Sequence, residues 1–153
     1  MPVTAAGFHG PLGPLTIWQE GDAITRLDWS KAGGAAETDL LANAVAQLEG
    51  YFKGTRQEFD LPLDVQASQF QRDVCDAMLA IAYGETRTYG DIAKDLGVPA
   101  QAIGQACGAN PIPIVIPCHR VLGATSLGGF SGRGGVEAKV ALLKLEGAAG
   151  LLI

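Results

Sequence analysis

The stretch TYGDIAKDLGVPAQAIGQACG, residues 88–108, decides the fold of the larger half of this chain. Thr88 is followed three residues later by Asp91, a helix-start pattern in which the hydroxyl accepts from a free backbone N–H and the carboxylate reaches back. The helix it opens runs through Leu96. Gly97 suits the left-handed residue that ends a helix, and Pro99 suits the first turn of the next one, which extends to about Ala109. Two short helices around a tight Gly-containing turn read as a helix-turn-helix. Pattern alone leaves two uses open, a DNA-binding unit and an ordinary helical hairpin in a core, of which the hairpin is the commoner. Gly104 and Gly108 strip side chains from one face of the second helix. Close helix packing is the commoner reason for that, and close approach to nucleic acid the other.

Upstream, Ser68-Gln69-Phe70-Gln71 is a second capping-box pattern. It opens a helix with an apolar stripe of Phe70, Val74, Met78 and Ile81, ended by Gly84. A domain boundary is expected near Val65 to Ala67, separating residues 1–65 from 66–153. In the first part, Leu15 to Gln19 and Ala23 to Trp29 are strand-like, with Glu20-Gly21-Asp22 as a hairpin turn. Lys31 to Ala36 reads as a Gly/Ala loop. Asp39 to Phe52 places Leu40, Leu41, Ala44, Val45 and Leu48 at the helical period, and Gly54 stops it. Glu58 to Leu63 is a short extended piece. The fold expected is an α/β N-terminal domain, a small sheet plus one helix, followed by a mostly α C-terminal domain with a helix-turn-helix.

Downstream, Asn110 to Val121 holds Pro111, Pro113 and Pro117 among Ile and Val, so it cannot be helix. It is expected to be an extended, apolar and buried path that delivers Cys118-His119-Arg120 to a fixed place. Gly123 to Gly135 is Gly-rich but lacks the Gly-Lys-Ser/Thr ending of a phosphate loop and the dinucleotide fingerprint. It reads as a pocket wall with exposed backbone donors. Gly135 to Glu146 is expected to be an amphipathic helix closed by Gly147.

Bulk properties bound the function. Of 153 residues, 48% are hydrophobic and 18% charged, which describes a globular chain and not a disordered one. No apolar run reaches the roughly 18 residues of a membrane span, and Met1 to Gly10 carries no Lys or Arg and no signal-peptide pattern. A cytoplasmic protein is the expectation. The net charge of −5 argues against a strong nucleic-acid field, but its distribution matters more than its sum. Residues 1–65 hold four Lys/Arg and nine Asp/Glu, whereas residues 66–153 hold seven of each. Binding to DNA through the second part would be modest and salt-sensitive. Cys75, Cys107 and Cys118 are an odd set without close pairs, which argues against a disulfide framework. With only His9 and His119 beside them there is no zinc-ligand spacing.

Cys118 is the candidate nucleophile. A thiol with a pKa near 8.5 is only a few per cent thiolate at neutral pH, so a nucleophile needs a base or a cation beside it. His119 is the candidate, with Glu146 to orient its ring. Neighbours in an extended chain point apart, and a water relay would connect them. The alternative stays open, because Cys is among the most buried residue types. Cys75 and Cys107 read as small packing residues.

Asn110-Pro111-Ile112-Pro113-Ile114-Val115-Ile116-Pro117-Cys118-His119-Arg120-Val121 closely resembles the active-site signature of the O6-alkylguanine-DNA alkyltransferases. Tyr89-Gly90-Asp91-Ile92-Ala93, Gly129-Phe130-Ser131-Gly132 and Lys139, Leu142-Leu143, Glu146-Gly147 extend the resemblance over the second half. It implies direct DNA repair, in which an alkyl group passes irreversibly from O6 of guanine to Cys118 without cofactor or metal, with O4-alkylthymine as a second lesion. His119 would act through a water as base, Glu146 would hold the imidazole, and Asn110 would brace the turn. Tyr89 would contact the flipped guanine and help protonate it as it leaves. The Val121 carbonyl and the Ser131 N–H would read the base edge, with Phe130 and Lys139 completing the pocket. The resemblance further implies a monomer bound to double-stranded DNA through the minor groove, with the target nucleotide extruded. Gln101, Thr88, Ala102, Gln105 and Arg120 would contact the DNA. No membrane partner is implied.

Three positions depart from the family pattern. Gln101 stands where an Arg usually fills the gap left by the flipped base, Phe130 stands where Tyr is common, and Arg133-Gly134 lengthens the loop before Lys139. Competing readings are a lesion-binding relative, which would lack the acceptor Cys, and a Cys-His hydrolase, which would need an oxyanion hole and leave the helix-turn-helix without a role. A regulator using alkylation as a signal would need a further domain.

Overall fold

The computed structural model describes residues 3–124 and 135–148. The chain divides into two compact units, Met1–Gln66 and Ala67–Ile153.

The first unit is built on an antiparallel meander of β1 (Val3–Gly10), β2 (Gly13–Glu20) and β3 (Ala23–Asp28), in that order across the sheet. Gly21 has φ +62 in the tight β2–β3 turn, a conformation that glycine adopts without a Cβ penalty. Helix α1 (Asp39–Phe52) packs on β1 and β2. Its start is fixed by Thr38, whose hydroxyl accepts from the Leu41 N–H at 3.0 Å. Leu41, Ala44, Leu48 and Tyr51 on α1 close over Ala6, Phe8, Leu15, Ile17, Ile24 and Leu27 of the sheet, all buried. Each buried Leu or Ile side chain contributes about 1.5–3 kcal/mol relative to exposure.

Strand β1 is not expected from the sequence, since VTAAGFHG has little of the β-branched, alternating composition of a strand. Pairing along all of β2, from Val3 with Glu20 to Gly10 with Gly13, supplies what composition does not. Gly33 lies so close to β1 that a Cβ there would clash with the Ala6 carbonyl carbon. The Glu58-to-Leu63 piece is held by Gln47, whose amide donates to the Asp60 carbonyl at 3.0 Å and accepts from its N–H at 2.8 Å. Leu63 bridges to Ile24.

The second unit is mostly helical: α2 (Gln69–Leu79), α3 (Tyr89–Leu96), α4 (Ala100–Gly108) and α5 (Gly135–Glu146), with the two-residue strands β4 (Arg87–Thr88) and β5 (Val121–Leu122) paired in parallel. Ser68 caps α2 by accepting from the Gln71 N–H at 3.1 Å. The reciprocal half of the expected capping box is not made. The Gln71 amide donates instead to the Ala106 carbonyl of α4 at 2.8 Å, because a buried carbonyl without a partner costs more than an exposed N–H. Two further corrections concern α2: Phe70 is exposed and not part of the buried stripe, which runs through Val74, Cys75 and Met78. The helix also ends at Leu79, well before Gly84.

The full capping box forms at α3, where the Asp91 N–H donates to Thr88 Oγ1 and the Thr88 N–H to Asp91 Oδ2, both at 3.0 Å. Those bonds hold the Asp91 carboxyl below its usual value. Gly97 ends α3 with φ +69, Pro99 is the N-cap of α4, and the two helices pack on each other as the helix-turn-helix.

Candidate active site

Between α4 and β5 the chain is buried almost throughout, Ile112 to Val121, yet it is not a straight extended path. Asn110 folds it. Its amide donates to the Ile116 carbonyl at 2.8 Å, and its side-chain oxygen accepts from the Ile112 N–H at 3.0 Å. The turn between carries Ile114 at φ +74, a costly conformation for a β-branched residue. The Ile116 N–H also bonds the Ile112 carbonyl, at 2.9 Å. Cys118–Arg120 then forms a 3-10 turn, which corrects the extended expectation and presents Cys118 and His119 on successive corners. Replacing Asn110 with Ala removes the partner of the buried Ile112 N–H and leaves the Ile116 carbonyl with the Cys118 N–H alone. At about 1–3 kcal/mol for the unpaired N–H, a lower thermal midpoint is expected for Asn110→Ala, read by calorimetry, with Cys118 reactivity falling alongside.

His119 is fully buried and its Nε2 lies 2.7 Å from Glu146 Oε2 at the end of α5. A carboxylate accepts, so Nε2 carries the proton and Nδ1 carries the lone pair. Nδ1 is buried with no hydrogen-bond partner among the described residues. Burial lowers the His119 pKa from its usual 6.5, an effect that Glu146 opposes and that Arg120 and Lys139 reinforce. The folded unit therefore refuses a proton that the unfolded chain takes. Stability is fully present above pH 6.5 and falls as the pH drops below it, by at most about 1.4 kcal/mol per pH unit from this one group. Urea unfolding midpoints between pH 7 and pH 5 check this, and a His119→Gln variant should lose that part of the slope.

Cys118 is buried and its thiol is pushed up to about 11 by burial, against the pull of the Asn110 amide and the Lys139 charge. Such a thiol is protonated at neutral pH and needs a base at the moment of reaction. Burial pushes Cys107 up to about 12, and its Sγ contacts Met78 Sδ at 3.6 Å. Cys75 Sγ accepts from the Gln71 amide at 3.8 Å. Both sit as packing residues.

Lys139, fully buried on α5, donates from Nζ to the Val121 carbonyl at 2.6 Å. It also reaches Tyr89 Oη at 3.5 Å and lies 5.7 Å from the centre of the Tyr89 ring. Burial lowers its pKa, while the Cys118 and Cys107 thiols work the other way. One wall of the site thus joins α3, β5 and α5 through Tyr89, Val121 and Lys139.

On α4, Gln101 and Gln105 are exposed and Ala102 is half-buried. The helix carries no charged residue. No heavy atom among the described residues lies within 4 Å of where a Cβ on Gly104 or Gly108 would stand. Close helix packing, the commoner reading of these glycines, is therefore corrected: among the described residues nothing packs on their face. The Thr88 hydroxyl caps α3. Arg120 is also corrected as a DNA contact, because it is buried with its guanidinium bonded to Glu146 and to the Ile81 carbonyl. Sequence reasoning missed this role, and a buried partner for Arg120 has no local signal. Phe130 and Ser131 lie outside the described residues.

Two family models match the chain. Residues 6–65 match the ribonuclease-like domain of 6-O-methylguanine DNA methyltransferase, and residues 69–148 match its DNA binding domain. A methylated-DNA–protein-cysteine methyltransferase of Mycobacterium tuberculosis is 44% identical over 149 residues, covering 91% of this chain and 89% of the relative. The constitutive one of Bacillus subtilis is 43% identical over 150 residues, covering 89% and 90%. Among solved structures, Mycobacterium tuberculosis OGT in complex with DNA superposes with a TM-score of 0.83 at 43% identity, covering 94% of this chain and 92% of that one.

Proposed function

This chain belongs to the 6-O-methylguanine DNA methyltransferase family, and we propose that it reverses DNA alkylation by moving the alkyl group from O6 of guanine onto its own Cys118. Its reaction class, direct repair by alkyl transfer to a cysteine, and its partner, DNA with damaged bases, are those of the family. The observation that carries the assignment of residues is the buried 2.7 Å contact between His119 Nε2 and Glu146 Oε2, one residue after the cysteine. It leaves Nδ1 as the basic atom. A water bridging Nδ1 and the Cys118 thiol carries the thiol proton to the imidazole as sulfur attacks the alkyl carbon.

The S–C bond forms and the C–O6 bond breaks. The guanine takes a proton as it leaves, from Tyr89, whose hydroxyl lies beside the Lys139 ammonium; Tyr89 is then reprotonated from solvent as His119 gives up the thiol proton to solvent. The net change turns one thiol and one O6-alkylguanine into one thioether and one guanine. A soft thiolate suits attack on saturated carbon. The thioether has no easy way back, so each molecule reacts once.

O6 is out of reach within the stack, so the nucleotide is extruded into the site. Helix α4 enters the minor groove with Gln101 beside the vacated position, and the open glycine face lets its backbone approach closely. Cys118, His119 and Glu146 lie in one unit of one chain, which favours a monomer. Three free thiols suit the reducing cytoplasm.

The α4 reading has its own check. Gly104→Ala should stabilise the helix by about 0.5–1 kcal/mol, because nothing crowds the new methyl. Gly104→Leu should fold as well but weaken binding to a lesion duplex in a fluorescence-anisotropy titration. Equal affinity of the Leu variant and the parent would remove α4 from the interface.

The function itself is tested by intact-protein mass spectrometry after mixing with a duplex holding one O6-methylguanine. One methyl gained per molecule, then no further reaction, is expected. No gain, or repeated turnover on excess duplex, would overturn it.

A further inference from the structure

Each nitrogen of the Arg120 guanidinium donates a hydrogen bond. Nε donates to Glu146 Oε1 at 2.9 Å, Nη2 to Glu146 Oε2 at 3.0 Å, and Nη1 to the Ile81 carbonyl at 2.6 Å. The Tyr83 ring lies 5.8 Å away, and Tyr83 Oη donates to the Leu145 carbonyl at 3.2 Å. Arg120 is 7% exposed. Glu146 Oε2 therefore receives one bond from Arg120 and one from His119. A two-pronged fork fixes a carboxylate plane in a way that a point charge does not.

We infer that Arg120 is a positioning residue for the alkyl transfer: its fork aims the Glu146 carboxylate at His119 Nε2, and its charge cancels the carboxylate's at the imidazole, so that His119 meets the thiol as a neutral base. The inference rests on the reading of His119 as that base. A buried carboxylate alone beside a histidine favours the doubly protonated ring, which has no lone pair for a thiol proton. With Arg120 in place, the carboxylate still orders the tautomer but no longer holds a second proton on the ring.

The other groups facing the pair do not take over this task. Lys139 on α5 contributes positive charge, but its ammonium is directed to Val121 and Tyr89. Tyr83, after α2, is a phenol kept protonated by burial and by Glu146. Cys118 in the same turn and Cys107 on α4 are thiols raised well above neutral pH.

The chain has two histidines, so an NMR titration of the ring Cε1–H groups, assigned with a His9→Gln variant, reads His119 and needs no DNA. In the parent, His119 should stay neutral to a pH below the ordinary histidine value of 6.5. In Arg120→Met its midpoint should rise by a pH unit or more, and the single-turnover rate on an O6-methylguanine duplex should fall at neutral pH and recover as the pH is raised. Arg120→Lys keeps the charge and loses the fork, so the midpoint should stay and the rate should fall about tenfold at every pH.

A Met variant with the parent's His119 midpoint and an equal loss at all pH values would overturn the inference, leaving Arg120 a structural brace. If Arg120→Met does not fold, the Lys variant decides, and a parental rate there would overturn the positioning role. A parent that titrates as expected but transfers no methyl would sink the proposed function and not the effect of Arg120 on His119.

Discussion

Cys118→Ser should fold, bind a lesion duplex with the parent's affinity and transfer no methyl at any concentration of DNA. The hydroxyl fits where the thiol was, and the fold around it is set by Asn110, Ile112 and Ile116 and not by the sulfur. What is lost is the proposed nucleophile. A thiol already raised to about 11 is within reach of a buried imidazole acting with a water, whereas a serine hydroxyl is a far weaker acid in the same apolar surroundings and a poor nucleophile toward saturated carbon. Methyl transfer by the Ser variant at even a hundredth of the parental rate would place the acceptor elsewhere. Retained duplex affinity separates this result from a loss of fold.

Glu146→Gln carries the second large effect, on rate and stability together. It removes the acceptor that fixes the Nε2–H tautomer of His119, and it leaves the Arg120 guanidinium buried without its counter-charge. Breaking a buried pair from one side costs about 3–5 kcal/mol, which calorimetry should show as a marked drop in the unfolding temperature. The single-turnover rate should fall by about 10²–10⁴-fold, the usual worth of a positioned general base. His119→Ala should lose a similar factor, and the double variant little more, because residues acting as one unit do not add. Additive losses would mean that His119 and Glu146 act separately.

Local signals in the sequence carry the elements whose ends are set locally. Thr88 and Asp91 lie three apart and cap each other, and Asp39–Phe52 repeats its apolar residues at the helical period, so both helices are legible without the rest of the chain. Strand β1 is not, because its residues form a strand through pairing with β2 and not through their own preference. The Ser68 pattern shows the same limit: it matches a capping box, yet the Gln71 amide is drawn to a carbonyl thirty-five positions away.

The site divides along the same line. Cys118, His119, Asn110 and Glu146 stand in a motif whose resemblance names roles for them. Arg120 belongs to the same string, and its charge suggests phosphate, but its role depends on the end of α5 and the turn after α2 meeting around it. No spacing along the chain encodes that meeting. The glycines of α4 are ambiguous in sequence for the same reason, since only the positions of neighbouring elements decide whether their face is packed or open.

Of three buried thiols, Cys118 is the one proposed to react. The most direct measurement is to react the protein with one equivalent of an O6-methylguanine duplex, digest it, and locate the methyl by fragment-ion mass spectrometry. S-methylcysteine is expected at Cys118 alone, in one copy per chain, with Cys75 and Cys107 unmodified. A methyl on Cys75 or Cys107, or an unmodified Cys118 in a protein that has consumed the lesion, would contradict it.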